Sequence, residues 1–341
     1  SMKKLVALAL ALVLCLSVTG AFAQGIYDGQ RVRIVIGSTS VSGDSYMVAE
    51  TVNQYLKKYL NCNSKVDAVG ANEALGTIAT AKPDGLTMMI FHDMTYLGVL
   101  FGAYDDMYAL ENMVVGPRVG QNPGSCFGAK KDAPYADLKE AAEWLVANPD
   151  QQLRFSVEAG GVSQIGYVAY YAWVKETYGE DVVKRMKVVL GGSTDTKLQQ
   201  LWDGNTDVIF ADYSSLLQYT LDGVDAQLAI KYVGMLDHIP GVEGLPVMGD
   251  FGVTMGGEPF YFSKDFLIYL PAGTPDTVLA ELDAAIEKMQ ADPDFKADME
   301  KLTYAANTLT SAEAKDFIYN KRDTIAGVLK DVPSFDELLG M

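Results

Sequence analysis

RVRIVIGSTSVSGDSYMVAETVNQYLKKY, residues Arg31–Tyr59, reads as strand, loop and helix in turn. Val32, Ile34 and Ile36 form a dense β-branched run that suits a strand better than an amphipathic helix. The next nine residues hold five hydroxyls, on Ser38, Thr39, Ser40, Ser42 and Ser45, with Gly37, Gly43 and Asp44 and no basic residue. Val48, Val52 and Leu56 then recur every four residues and share one helical face. Such an order aims free backbone N–H groups and several hydroxyls at one spot, where a carboxylate or phosphate can be held without an arginine. The same stretch also suits a plain βα connection whose serines cap a helix.

Outward from this unit the pattern repeats. Lys65–Val69 suits a second strand and Ala71–Ala81 a helix with Leu75, Ile78 and Ala79 in register. Lys82-Pro83-Asp84-Gly85 is a turn, and Leu86–Phe91 a buried strand. His92-Asp93-Met94-Thr95-Tyr96 follows where a ligand-facing loop is expected. Two βα units and a strand in about 65 residues predict an open parallel sheet, with its crevice outside the carboxyl ends of the strands.

Glycine, proline and cysteine interrupt any long period between Gly116 and Asp132. Beyond them, strand, glycine–hydroxyl loop and helix occur twice more. Leu153–Val157 leads through Glu158–Gln164 into a helix from Ile165 to Tyr178. Lys187–Leu190 leads through Gly191-Gly192-Ser193-Thr194-Asp195 into a helix ending at Leu201. Thr206–Phe210 and Ala226–Tyr232 read as extended, and Leu216–Leu221 as helical. The glycine- and proline-rich residues that follow, ending in Phe266–Leu270, suit a return from a second lobe to the first. Thr274-Pro275 predicts a helix start with threonine as cap, and Leu279, Leu282, Ile286 and Met289 give that helix its apolar face. Thr310 and Glu313 have the spacing of a capping box, before a helix expected to bury Phe317, Ile318, Ile325 and Leu329.

The ends and composition set further bounds. Met2-Lys3-Lys4, an apolar run from Leu5 to Leu16 and Ala21-Phe22-Ala23 predict a cleaved signal peptide over residues 1–23, and hence export. Cys15 lies inside the apolar run between two leucines, which argues against a lipoprotein anchor. The chain has 27 basic and 44 acidic residues. Loss of residues 1–23, with Lys3, Lys4 and no acid, lowers the net charge from −17 to −19. Nucleic acid and anionic membrane surfaces are poor partners for such a body. Cys62 and Cys126 are the remaining cysteines; a bridge between them is compatible with an oxidising compartment, and no catalytic thiol is expected.

Enzyme chemistry does not assemble from the motifs. The sequence has two histidines, no G-x-S-x-G elbow, no P-loop and no dinucleotide fingerprint. His92 and Asp93 are adjacent, and neighbours in an extended segment point opposite ways. Glu158, Asp195, Asp207 and Asp212 are the acids that can meet in a cleft; helix capping is the more ordinary role for such loop carboxylates. Tyr46, Tyr96, Tyr261 and Phe262 suit packing or enclosure of an organic ligand. No metal ligand set and no cofactor are expected.

Five segments carry a family resemblance: KPDGLTMM (82–89), RFSVEAGGVSQ (154–164), VVLGGSTD (188–195), WDGNTDVIF (202–210) and LPAGTPDTVLAELDAAIEKMQADPDF (270–295). In order and spacing they resemble the substrate-binding proteins of tripartite tricarboxylate transporters, the TctC-like or Bug receptors of the periplasm. The resemblance runs from about Val32 to the final helix. It implies a two-lobed α/β periplasmic binding-protein fold, each lobe an open mixed sheet flanked by helices, with the ligand cleft between lobes. On that pattern residues 24–126 and 232–341 form one lobe and 127–231 the other. It further implies a monomeric receptor without covalent chemistry that delivers a small organic carboxylate to a membrane permease.

Carried over residue by residue, the resemblance places the first ligand loop at Ser38, Thr39, Ser40, Ser42, Asp44, Ser45 and Tyr46. His92 and Thr95 form the second, opposite Gly161, Ser163, Gly192, Ser193 and Thr194. The first loop departs from the family's run of small residues ending in threonine and aspartate, and either Asp44 or Tyr46 takes the aspartate position. The aromatic FYFSKDF segment leaves room for an aromatic acid or a neutral ligand. Since none of these loops contains lysine or arginine, neutral donors are expected to grip the carboxylate.

Overall fold

The computed structural model describes residues 24–340; the predicted signal peptide, with Cys15, lies outside them. Twelve strands form among the described residues. The first four are β1 (Arg31–Ile36), β2 (Asn63–Ala68), β3 (Thr87–Phe91) and β4 (Met113–Asn122). Next come β5 (Ser125–Lys130), β6 (Leu153–Val157), β7 (Met186–Leu190), β8 (Val208–Asp212) and β9 (Ile230–Met235). A short hairpin, β10 (Thr254–Met255) and β11 (Glu258–Pro259), precedes β12 (Lys264–Pro271).

They build two five-stranded mixed sheets, in the orders β2-β1-β3-β12-β4 and β7-β6-β8-β5-β9. β1 is parallel to β2 and β3, and the late strand β12 slots between β3 and β4, antiparallel to both. In the second sheet β6 is parallel to β7 and β8, while β5 runs antiparallel to β8 and β9. The chain passes from the first sheet to the second between Asn122 and Ser125 and returns between Met235 and Lys264.

Helices cover the sheets. In chain order they are α1 (Asp44–Leu60), α2 (Ala71–Thr80), α3 (Met94–Leu100), α4 (Leu138–Ala147), α5 (Val162–Tyr178) and the single turn α6 (Glu180–Val183). After these come α7 (Thr194–Trp202), the single turn α8 (Tyr213–Leu216), α9 (Asp276–Gln290), α10 (Pro293–Lys301), α11 (Ser311–Leu329) and α12 (Phe335–Leu339). The α1 face forms as its spacing predicts: Val48, Val52 and Leu56 are buried against β1 and α9 residues. Each such burial is worth about 1.5–3 kcal/mol. α11 packs on β4, whereas α12 reaches the second sheet and packs on β7.

Several local expectations shift. Thr274 does not cap α9: its hydroxyl donates to the Pro271 carbonyl at 2.7 Å, and Pro275 stands at the N-cap. Phe317 is 37 % exposed rather than buried, its ring facing the Arg118 guanidinium, while Ile318 and Ile325 are buried. The capping box at Thr310 is formed, with the Glu313 carboxylate accepting from the Thr310 amide at 3.1 Å. Cys62 and Cys126 are both free, so the bridge does not form. Cys62 follows α1 beside the first sheet, and Cys126 is buried in β5 of the second.

The β1–α1 turn has one rigid requirement. A Cβ on Gly37 would lie 2.0 Å from the Phe91 ring, which is itself buried. Gly37→Ala is therefore expected to destabilise the protein by about 1–3 kcal/mol through overpacking. Urea unfolding monitored by circular dichroism checks this, and an unchanged midpoint would show that Phe91 can yield.

Candidate functional site

The carboxyl end of β3 leads to His92, that of β6 to Glu158, and β8 ends on Asp212; β12 begins beside them with Lys264. Between the sheets these ends enclose a cavity of about 230 Å³. Glu158, Gly161, Val162, Ser163, Thr194, Lys197 and Phe210 line one side; His92, Met94 and Lys264 come from the first sheet. Ligands of open α/β sheets sit at this edge because loops and helix N-termini converge there. A larger groove of about 470 Å³, under the C-terminal segment, is lined by Leu100, Phe101, Val332, Pro333 and Phe335 and has no cationic residue. The smaller cavity has the chemistry.

Its charged groups come in two sets. On one side the Lys264 ammonium bonds Asp44 at 2.9 Å and stands 3.7 Å from Asp212. The Asn122 amide donates to both carboxylates at 3.1 Å, and its oxygen accepts from the Gly124 amide at 2.9 Å. Asn122 thereby ties the first crossing between sheets to the site. On the other side Lys197, only 2 % exposed, donates to Glu158 at 2.8 Å, while Glu158 is half exposed.

Burial would lift the Asp44 carboxyl, but Lys264 outweighs it and holds the group well below the usual carboxylate range. Burial prevails at Asp212, against the pull of Lys264, and pushes that carboxyl up. Lys264 is held charged, since its two carboxylates overcome the cost of burying an ammonium.

His92 is pulled down to about 3, by burial and then by Lys264, and is neutral at physiological pH. The Met94 amide donates to its Nδ1 at 3.2 Å. The ring proton therefore sits on Nε2, leaving a neutral donor at the cavity. The first turn of α5 adds more: the amides of Gly161, Val162 and Ser163 have no protein acceptor among the described residues. Those free N–H groups and the positive end of a 17-residue helix favour an anion.

The sequence-chosen residues divide accordingly. His92, Gly161, Ser163 and Thr194 line the cavity. The Ser163 hydroxyl is committed to its own loop, donating to the Glu158 carbonyl and accepting from the Glu158 amide, both at 2.9 Å. Asp44 stands behind the lining as the partner of Lys264. Thr95 is buried, and its hydroxyl donates to the His92 carbonyl at 2.8 Å.

Ser38 and Ser40 brace the β1–α1 turn: Ser38 Oγ accepts from the Ser40 amide, and Ser40 Oγ from the amides of Ser42 and Gly43. Thr39, Ser40 and Ser42 are exposed, Ser45 is buried in the first turn of α1, and Tyr46 packs beside the helix core. Ser193 caps α7 by accepting from the Thr196 amide at 3.1 Å, and Gly192 is exposed next to it. Of the four acids considered, Glu158 and Asp212 meet at the cavity. Asp207 instead pairs with Arg154 at 3.0 Å, and Asp195 is exposed on α7.

The expectation of an all-neutral grip did not anticipate Lys197 and Lys264. Neither lies inside a glycine–hydroxyl loop: one is a turn into α7, the other opens a late strand. Weak signals did exist. Lys197 shares a helical face with Leu198 and Leu201, an unusual place for a lysine, and Lys264 directly precedes an unbroken buried run.

No family model matches the sequence, and no curated protein matches it either. Solved structures do resemble it. A TctC solute-binding protein from Polaromonas superposes with a TM-score of 0.66 at 15% identity, over 89% of this chain and 99% of that one. MatC from Rhodopseudomonas palustris, solved with bound malate, gives 0.62 at 18% identity, over 86% and 99%. An R. palustris protein solved with adipate gives 0.64 at 15% identity, over 87% and 98%. The chain thus has the fold of TctC- and Bug-type periplasmic solute-binding proteins, two mixed sheets flanked by helices, as the sequence resemblance implies.

Proposed function

We propose that the protein is an extracytoplasmic receptor that captures a small organic carboxylate between its two sheets and presents it to a membrane permease. The observation that carries this reading is the cavity at the strand ends, where the free amides of α5, the His92 Nε2–H and two lysines converge. Neighbours of this fold solved with malate and adipate support the ligand class. The cavity lies below the roughly 300–1,000 Å³ of pockets for drug-sized ligands, which favours a compact solute. Each sheet with its helices acts as one lobe, and the chain crosses between them at Asn122–Ser125 and Met235–Lys264. Those crossings serve as the hinge. The basic-then-apolar pattern of residues 1–23 supports delivery to the periplasm.

Calorimetric titration with C3–C8 carboxylates, aromatic acids and their amides tests the reading. Acids are expected to bind and to raise the melting temperature by mass action, while the amides do not. X-ray scattering of the bound protein should show a smaller radius of gyration. Preference for amides over acids would overturn the carboxylate assignment, and an unchanged radius with bound ligand would overturn hinge closure.

A further inference from the structure

Both cavity lysines already have carboxylate partners from the chain itself. Lys197 is matched by Glu158, and Lys264 by Asp44 and Asp212 together. Two ammonium groups therefore face three carboxylates, against a chain already strongly acidic overall. A dicarboxylate entering this space adds two negative charges with no unmatched side-chain cation to meet them. A carboxylate that carries its own ammonium instead brings a cation to the surplus acid. Asp212 is the less tightly held of the two acids at Lys264, at 3.7 Å against 2.9 Å for Asp44, and it lines the cavity. Glu158, half exposed and paired with Lys197, is a second acceptor.

Resting on the receptor reading above, we infer that the ligand is zwitterionic, of the α-amino acid class. Its carboxylate lies on the N-terminal amides of α5 and the His92 Nε2–H, and its ammonium is taken by Asp212 with Glu158 alongside. The free amides and both acids line one small cavity, so a single compact molecule can satisfy both. The arrangement selects against a plain acid of the same size, because that acid leaves Asp212 without its extra partner and adds net negative charge.

The experiment is a matched-pair titration: aspartate against succinate, glutamate against glutarate, phenylalanine against 3-phenylpropanoate. At least one amino acid is expected to bind 10- to 100-fold more tightly than its partner lacking the amino group, the scale of one charge-assisted hydrogen bond. Asp212→Asn should collapse that ratio toward one, mainly by weakening the amino acid. This variant keeps Lys264 paired with Asp44, and its melting curve reports folding. Glu158→Gln gives a second reading should it unfold. Tighter binding of the acids lacking an amino group overturns the inference and leaves the receptor reading intact. Binding of neither series, nor of any other carboxylate, overturns both.

Discussion

Lys321→Met is expected to destabilise the protein by about 3–5 kcal/mol at neutral pH, the cost of breaking a buried charge network from one side. Lys321 projects from α11 into the seam between β3 and β12. Its ammonium lies 2.7 Å from Asp93 and 2.6 Å from Asp265, donates to the Ser263 carbonyl at 2.8 Å, and sits 3.9 Å from the centre of the Phe262 ring. Both carboxylates are at most 1 % exposed. Asp265 keeps Arg118 and Gln121 after the change, whereas Asp93 keeps only the Tyr96 hydroxyl and the Asp265 amide. The unpaired charge on Asp93 is therefore the main penalty.

Burial already pushes the Asp93 carboxyl up, against the opposing pull of Lys321. A carboxyl raised in the folded state contributes its stability below its unfolded value, about 3.9, and loses it as pH rises through the folded value. Without Lys321 the carboxyl rises further. The deficit of the variant should thus be small in acid and grow toward neutrality. Urea unfolding of both proteins at pH 5 and pH 7.5 checks this, and a deficit equal at both would point to lost packing against Phe262 instead.

Lys264→Met is expected to act on stability and binding together. Asp44 and Asp212, both bonded to the one Asn122 amide, would face each other without a cation between them. These side chains remain partly exposed at the cavity, so water softens the loss to about 3 kcal/mol, the low end for such a pair. In the parent protein Asp44 is held low, so its contribution is present above about pH 4 and is lost as pH falls. In the variant the two acids are expected to share a proton instead. Affinity for a carboxylate ligand should fall about 10- to 100-fold at pH 7.5. Part of it should return at pH 5.5, where that shared proton removes one of the pair's two negative charges. Titrations at the two pH values read this directly; a loss that deepens in acid would mean that Lys264 acts otherwise than as the counter-ion of Asp44 and Asp212.

Chemistry local to the chain was legible in the sequence. The β-branched run before Gly37 and the four-residue spacing of Val48, Val52 and Leu56 specify a strand and a helix with one buried face, because backbone period alone decides which side chains share a side. The turn at Pro83-Asp84-Gly85 follows from a fixed proline dihedral and a glycine at φ +83°. The Thr310–Glu313 capping box needs only three residues of separation. His92, Gly161 and Thr194 were identifiable for a similar reason: each directly follows a strand or opens a helix, and those places converge at one edge of any open α/β sheet.

The site's charge balance was decided only by tertiary structure. Asp44 and Lys264 meet across 220 residues, because β12 returns late and inserts antiparallel between β3 and β4. No period or turn rule encodes that order. Hydroxyl orientation was equally out of reach. Ser40, Thr95, Ser163 and Ser193 sit in stretches of the right composition, but each hydroxyl bonds a backbone group of its own turn, because leaving such a group unpaired costs more than forgoing a ligand contact. Composition placed the cleft, and long-range pairing of lysine with aspartate and glutamate set the chemistry inside it.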